Sequence, residues 1–302
     1  MYRQPPIVTV IIPTYNSHRT LKLSLGTVLQ QNFDDFEVWV VGDGCTDDTE
    51  EVVGSFEDGR IHWVNLPVNS GSPSAPRNEG LRRSRGKFIA YLGHDDLWFP
   101  WHLSGLIHAL SEGKADFAYS LGSFMAPGGQ VRAFTLPEKA WDTRLALSPS
   151  NWFHSRELTE NIGLWEENRT IAADRDFLER VRKSGIKTVF FDSLSVLKYP
   201  SAWWELYSSH SVLPQFGDVE AMRENAGDLQ LRLLVEIARR ASFQDYRIYQ
   251  RQKPVRMTVG IIIRFLLRIY GYDRWPVNGL MYRLWRRKAG LEKRKPNEFE
   301  RR

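Results

Sequence analysis

Apolar residues in the first third of this chain fall alternately into short continuous runs and into runs spaced three and four apart. Val8-Thr-Val-Ile-Ile12 reads as a buried strand closed by Pro13-Thr-Tyr-Asn16, and Leu21, Leu25, Val28 and Leu29 mark a helix across Thr20–Gln31. Glu37-Val-Trp-Val-Val41 is a second strand, followed by Gly42-Asp-Gly-Cys-Thr-Asp-Asp-Thr49 as a turn that opens a helix. Ile61-His-Trp-Val-Asn65 is a third. A loop rich in Pro, Ser, Gly and Asn runs from Pro67 to Pro76, and a helix from about Arg77 to Ser84 leads into the apolar run Phe88–Leu92. Such alternation predicts βαβ units with right-handed connections and a mostly parallel sheet, with the loops after the strands gathered on one edge. Farther along, Trp101–Leu110 reads as helix and Phe117–Ser120 as strand. Pro127-Gly-Gly129 reads as a hairpin tip, Ile171–Asp176 opens a helix running to about Ser184, and Lys187–Phe191 is a last strand. The region from Pro214 to Arg240 is chiefly helical.

At 302 residues the chain is long enough for one large domain with an appendage. The net charge of +5 is uneven: residues 251–302 hold 15 Lys and Arg against 4 Asp and Glu, leaving 26 against 32 in residues 1–250. A mildly acidic body therefore carries a strongly basic tail. Nucleic-acid binding would suit that charge, but no recognisable module accompanies it, so none is expected. The single cysteine, Cys45, excludes an internal disulfide and fits a reducing compartment. No secretion signal and no run long enough to span a bilayer is visible, so the expectation is a cytoplasmic protein.

The stretch Phe88–Pro100 concentrates the candidate chemistry. Its apolar run ends in Gly93, His94 and two adjacent carboxylates, Asp95 and Asp96. Charge at the end of a buried strand must be solvated, paired or metal-bound, and strand C-ends are where α/β sheets bind ligands. A hard divalent cation shared with phosphate oxygens explains the pair. A helix start with Asp95 or Asp96 as its cap explains it equally well. Thr14, Tyr15 and Asn16 should share a sheet edge with Asp43, where a carboxylate accepts the imide N–H of uracil or thymine; ordinary turn chemistry is the competing reading. Arg77, after Ser70-Gly-Ser-Pro-Ser-Ala-Pro76, is placed either to reach a nucleobase or phosphate or to lie solvated on a surface loop. Asp174 at a helix start can act as a general base or as a plain cap, and local sequence favours the cap. His18, His62, His102 and His108 lack metal-ligand spacing, Cys45 has no partner that would make it a nucleophile, and Trp203 and Trp204 are either a sugar platform or packing.

Taken in order, these pieces resemble the family 2 glycosyltransferases of the GT-A fold. The resemblance rests on Val8–Asn16, Gly42–Thr49, Asn69–Gly80 with Ala75-Pro-Arg-Asn78, Gly86–Trp98, and Ile162-Gly-Leu-Trp-Glu with Asp174-Arg-Asp-Phe177, and covers about the first two hundred residues. It implies a Rossmann-like, mostly parallel mixed sheet flanked by helices over 1–213, with a helical, basic C-terminal extension over 214–302. It further implies a nucleotide-sugar donor (a UDP-sugar, with dTDP as the other option), Mn²⁺ or Mg²⁺, and inversion by single displacement. Carried over residue by residue, Tyr15, Asn16 and Asp43 hold the base with Arg77 beside them, and Thr14 and His94 are also in the donor set. Asp95 ligates the metal, Asp96 organises the metal loop or touches the donor sugar, and Asp174 takes the proton from the acceptor hydroxyl. His210 is a further candidate for the diphosphate or the metal.

Three departures from the family pattern stand out. Gly93 replaces the first Asp of the usual Asp-X-Asp, Gly42 replaces the first Asp of the usual Asp-Asp-Gly, and Ala173 precedes Asp174 where a Glu is usual. The reading is an inverting glycosyltransferase acting on a glycan or lipid-linked acceptor in cell-surface polysaccharide synthesis. Its basic, apolar segment 255–295 suits peripheral contact with the inner face of an anionic membrane; packing on the catalytic domain is the other option. A sugar-phosphate nucleotidyltransferase would need a Gly-X-Gly-Thr-Arg loop where Pro13-Thr-Tyr-Asn16 stands. The non-catalytic rival is a nucleotide-sugar-binding protein that docks on membranes.

Overall fold

The computed structural model describes residues 4–126, 130–133, 148–168, 173–199 and 213–250. His210, Trp203, Trp204, the turn at 127–129 and the basic segment 255–295 lie outside them.

The chain runs β1 (Val8–Thr14), α1 (His18–Leu29), β2 (Phe36–Gly42), α2 (Thr49–Gly54), β3 (Ile61–Asn65), α3 (Ser74–Arg83) and β4 (Phe88–Tyr91). It continues through β5 (Leu97–Trp98), α4 (His102–Gly113), β6 (Phe117–Ala126), β7 (Gln130–Ala133), β8 (Trp152–Ser155), α5 (Arg156–Ile162), α6 (Ala173–Lys183), β9 (Thr188–Lys198) and α7 (Pro214–Gln250). The strands form one sheet in the order β3-β2-β1-β4-β8-β6-β9-β5, with β7 paired to β6. β3, β2, β1 and β4 are parallel, as the alternating pattern predicts. β8 joins antiparallel to both β4 and β6, whereas β6 and β9 run parallel, so the second half is mixed.

All of β1 is buried because helices cover both faces of the sheet. Val8, Val10 and Ile12 point to a core shared with Leu21, Leu25 and Val28 of α1 and Leu103 and Leu106 of α4. Ile11 points the other way, with Ile89 and Tyr91, into a core closed by Leu81 of α3, Phe177 and Val181 of α6, Trp152 and Trp165. A third cluster joins Leu97, Phe99, Leu194, Leu197 and Tyr199 to Val219, Met222, Leu229 and Leu233 of α7. That packing puts 214–240 into the same compact unit as the sheet, Met1–Arg240; the second unit is Ala241–Arg302. α7 breaks at Asn225 (φ −159°, ψ 96°), whose Oδ1 accepts from the Asp228 N–H at 3.1 Å and so starts the next helical turn.

Two boundaries differ from the sequence reading in ways that matter for the site. α3 begins at Ser74 rather than about Arg77, because the Ser72 hydroxyl accepts from the Ser74 N–H (3.2 Å) and Pro76 falls in the first turn, where it is tolerated. β9 does not stop at Phe191. It runs to Lys198 across an irregularity opposite Ser120–Gly122, and pairs with β5 through Leu97–Leu197 and Trp98–Val196. This extension delivers Lys198 to the strand-end edge.

Candidate active site

The C-terminal ends of β1, β2 and β4 meet at one edge. Thr14 stands opposite Gly42, and the Asp43 N–H donates to the Thr14 carbonyl at 2.8 Å. Asp43 is buried; its oxygens accept from the Ser70 N–H at 3.0 and 3.1 Å and from the Ser70 hydroxyl at 3.0 Å, so it fastens the loop ahead of α3. Asn16 adopts a left-handed backbone (φ 42°), and its Oδ1 accepts from the Thr46 N–H at 2.8 Å. The Tyr15 ring is exposed beside them, and the buried Thr14 hydroxyl lacks a partner. His94 Nδ1 lies 3.3 Å from the Pro13 carbonyl and donates to it, which ties the β4 loop to the end of β1.

Gly42 has a steric reason. A Cβ there would sit 2.5 Å from Asn65 Oδ1 and 2.6 Å from the Trp63 ring. Asn65 Oδ1 accepts from the Cys45 N–H at 2.8 Å and its Nδ2 donates to the Cys45 carbonyl at 2.9 Å, so the amide fills that space and holds the turn. Cys45 donates to the Thr14 carbonyl (3.6 Å), and burial lifts its thiol above the ordinary value, against a nucleophilic role.

The β4 loop separates its two carboxylates. Asp96 is fully buried and takes hydrogen bonds from the Ser150 hydroxyl, the Lys198 ammonium (2.9 and 3.2 Å) and the Tyr199 N–H (3.0 Å). It is an internal anchor that ties β4 to the end of β9. Asp95 is 3% exposed, yet its Oδ2 has no partner. An ionised oxygen in that condition needs a cation or a donor from outside the chain. The Gln215 amide donates to the Asp95 main-chain carbonyl at 3.2 Å and leaves its own Oε1 without a partner. Gly93 is packed as tightly as Gly42: a Cβ would meet Asp96 Oδ2 at 2.8 Å and Asp95 Oδ1 at 3.1 Å.

Lys198 pairs with Asp96 and lies in the field of the two other acids, Asp95 and Asp174. Burial works to lower the ammonium's pKa, but the carboxylates of Asp96, Asp95 and Asp174 outweigh it and hold Lys198 above its ordinary value, fully charged. Acids from two remote segments, the β4 loop and the start of α6, thus act on one cation. Asp174, in the first turn of α6, accepts from Arg77 Nη1 at 2.7 Å. The Arg77 guanidinium lies 4.3 Å over the Trp165 ring and is 8% exposed. The neighbouring Asn78 grips the main chain of Trp165 on both sides, donating to its carbonyl (2.9 Å) and accepting from its N–H (2.8 Å), and also donates to Glu167 at 2.6 Å. Beneath Trp165, the Tyr91 hydroxyl accepts from the indole N–H (3.3 Å) and lies 3.2 Å from His154 Nε2. Burial holds His154 neutral, with its pKa lowered to about 4.

An open cavity of about 540 Å³ lies along Asn78, Trp165, Glu166, Glu167, Asp176 and Arg180; Asp43 and Asp95 do not line it. Among the described residues no group of three His, Cys, Asp or Glu side chains is arranged around a metal. Ser150, Lys198 and Gln215 were not expected from the sequence, and Ser70 was named only as part of the loop before Arg77. Only Lys198 left a signal: a cation closing an otherwise apolar run, Leu194-Ser-Val-Leu197.

A parallel βαβ half, a mixed second half, and carboxylates from both brought to the strand-end edge define the GT-A class of α/β fold. Residues 9–178 match the family described as glycosyl transferase family 2, and the chain belongs to that family. Among solved structures, S. aureus TarS 1–349 in complex with UDP-GlcNAc is similar at a TM-score of 0.58 and 23% identity, over 82% of this chain and 76% of that one. The mannosyltransferase PcManGT from Pyrobaculum calidifontis, in complex with GDP-Man and Mn²⁺, is similar at 0.53 and 17% identity, over 90% and 83%. Both establish the fold. Curated relatives include the putative teichuronic acid biosynthesis glycosyltransferase TuaG of Bacillus subtilis, 35% identical over 41% of this chain and 50% of that protein. Another is the UDP-Glc:alpha-D-GlcNAc-diphosphoundecaprenol beta-1,3-glucosyltransferase WfgD of Escherichia coli, 31% identical over 44% and 52%. The matches span about half the length of these relatives.

Proposed function

We propose that this protein transfers a sugar, with inversion, from a UDP-sugar to a hydroxyl of a lipid-linked glycan acceptor during cell-surface polysaccharide synthesis. The observation that carries the reading is geometric: Asp95 Oδ2, buried after β4, has no partner, while Asp174, in the first turn of α6, is held by Arg77 at 2.7 Å with its carboxylate half exposed. The first is left to meet a cation-bound diphosphate and the second to meet the acceptor hydroxyl. The names of the relatives support a lipid-linked diphosphate acceptor, and the TarS complex supports a uridine nucleotide.

In this reading Thr14, Tyr15, Asn16 and Asp43 face the base, with His94 beside the diphosphate. Asp95, through its unpartnered Oδ2, would hold Mn²⁺ or Mg²⁺; such an ion supplies positive charge to the departing diphosphate. Asp174 accepts the proton of the attacking hydroxyl as that oxygen bonds to the anomeric carbon and the diphosphate oxygen leaves with the bonding pair. Arg77, pinned over Trp165, sets the carboxylate's orientation. Asp96, with Lys198, holds the loop.

No helix among the described residues is long and apolar enough to cross a membrane. The basic segment 255–295 is proposed to rest on the anionic inner face of the cell membrane, where a lipid-linked acceptor is reached.

The test is a thermal-shift comparison of UDP, dTDP, GDP and CMP with and without Mn²⁺. Stabilisation by UDP, enhanced by Mn²⁺, is the expected result. Stabilisation by none of the four would remove the donor assignment.

A further inference from the structure

The proposed reading gives the metal one protein carboxylate, and the packing explains why the loop offers no second one. A side chain at position 93 has no room, and Asp96 is consumed by Ser150, Lys198 and Tyr199. Two buried oxygen acceptors nevertheless remain at this loop with nothing to accept: Asp95 Oδ2 and Gln215 Oε1. Gln215 is fully buried, at the start of α7. Its amide orientation is set by the bond from Nε2 to the Asp95 carbonyl, because a reversed amide would put oxygen against oxygen. One end of the amide therefore rests on Asp95 itself, and the other presents a bare carbonyl oxygen beside that residue.

A diphosphate cannot satisfy these atoms, since it too brings only acceptors. A hard divalent cation can, because Mg²⁺ and its relatives take carboxylate, amide-carbonyl and phosphate oxygens together. Resting on the proposed donor reading, we infer that Gln215 is a second protein ligand of the divalent cation, its Oε1 standing in for the carboxylate that Gly93 excludes. The site then joins the β4 loop to α7, which is fixed against the same strand end by the hydrogen bond from the Tyr199 hydroxyl to Asp218. It also accounts for a fully buried glutamine at the head of a helix.

The experiment is an electron paramagnetic resonance titration of Mn²⁺ into the full chain saturated with UDP, read against UDP alone. The parent chain is compared with Gln215→Met, Gln215→Glu and Asp95→Asn. Methionine keeps the side chain's length and apolar packing but removes the amide oxygen; circular dichroism and UDP affinity in EDTA confirm that each variant is folded. The expected result is Mn²⁺ affinity lowered by at least roughly tenfold in Gln215→Met, the low end of the loss seen when a group that merely orients a ligand is removed. Gln215→Glu keeps an oxygen for the cation but sets its second oxygen against the Asp95 carbonyl, so it should retain more Mn²⁺ affinity than Gln215→Met, and Asp95→Asn should lose it. Parent-like Mn²⁺ affinity in Gln215→Met overturns the inference while leaving the Asp95 assignment intact. A parent chain that binds UDP without taking up Mn²⁺ overturns both the inference and the metal assignment, and a parent that binds no UDP overturns the donor reading beneath them.

Discussion

Arg77 Nη1 donates to Asp174 Oδ1 at 2.7 Å across 97 positions of sequence, while the guanidinium lies on the face of Trp165. One residue of α3 therefore orients a carboxylate of α6, and the indole against the guanidinium face sets its plane. Asp174 is 44% exposed on its side chain against 9% for Arg77, so the pair presents the carboxylate outward and keeps the cation inside. That geometry suits a base that must meet a hydroxyl arriving from solvent.

Replacement of Arg77 tests this division of labour. Lysine restores the charge but neither the planar stack nor the fixed fork, so Arg77→Lys should still lower kcat, by roughly 100-fold if the carboxylate moves about an ångström. The affinity for UDP, measured by calorimetry, should stay within about twofold of the parent's. A loss confined to UDP affinity would place Arg77 at the nucleobase instead.

Lys198→Met leaves the fully buried Asp96 carboxylate without its cation. Breaking a buried pair from one side costs about 3–5 kcal/mol, so urea denaturation should show a large fall in the midpoint. Adding Asp96→Asn in the same chain should recover part of it, because the amide carries no charge to bury. If Lys198→Met alone unfolds like the parent, Asp96 is not held as described.

Restoring the family's usual acid at position 93 should not help this chain. In Gly93→Asp the new Cβ meets Asp96 Oδ2 at 2.8 Å, so the loop must shift and stability should drop by about 1–3 kcal/mol. Mn²⁺ affinity in the presence of UDP should not rise. A tighter site in Gly93→Asp would show that the loop is free to adopt the usual arrangement.

Stability should also report the buried imidazoles. Burial lowers His154 to about 4 and His102 to about 3, against 6.5 in an open chain. Between those values the unfolded chain binds protons that the folded chain does not, so stability falls as pH drops from about 6.5 to about 4. Each imidazole contributes a slope of about 1.4 kcal/mol per pH unit in that window, and the contribution is fully present above it. Chemical denaturation across pH 4–7 should be flatter in His154→Asn than in the parent. An unchanged slope would mean that His154 is protonated in the folded state.

Much of the first half was legible in the chain because buried parallel strands are written as unbroken apolar runs. Val8–Ile12, Glu37–Val41 and Phe88–Leu92 all became strands, and their ends share the edge that the alternation predicted. Lys198 left only the trace of a cation after Leu194-Ser-Val-Leu197, because the polar pair Asp192-Ser193 interrupts β9 and makes the strand appear to end at Phe191. The two glycines in place of family acids read as losses in sequence. In space they are occupied volumes, with Asn65 and the Asp95–Asp96 carboxylates filling what a side chain would need. Asp174 reads locally as a cap, and the partner that gives it another use, Arg77, is too distant in sequence for any local rule to find. Gln215 was invisible for a simpler reason: a glutamine after a proline carries no pattern at all.

The most direct measurement is Mn²⁺-dependent release of UDP from a panel of UDP-sugars, with an undecaprenyl-diphosphate-linked sugar as acceptor. The parent should turn over one donor only with metal present, Asp95→Ala should lose turnover, and Asp174→Asn should lose transfer by about 100-fold or more while still binding UDP. Equal transfer by Asp174→Asn and the parent would contradict the account at its centre.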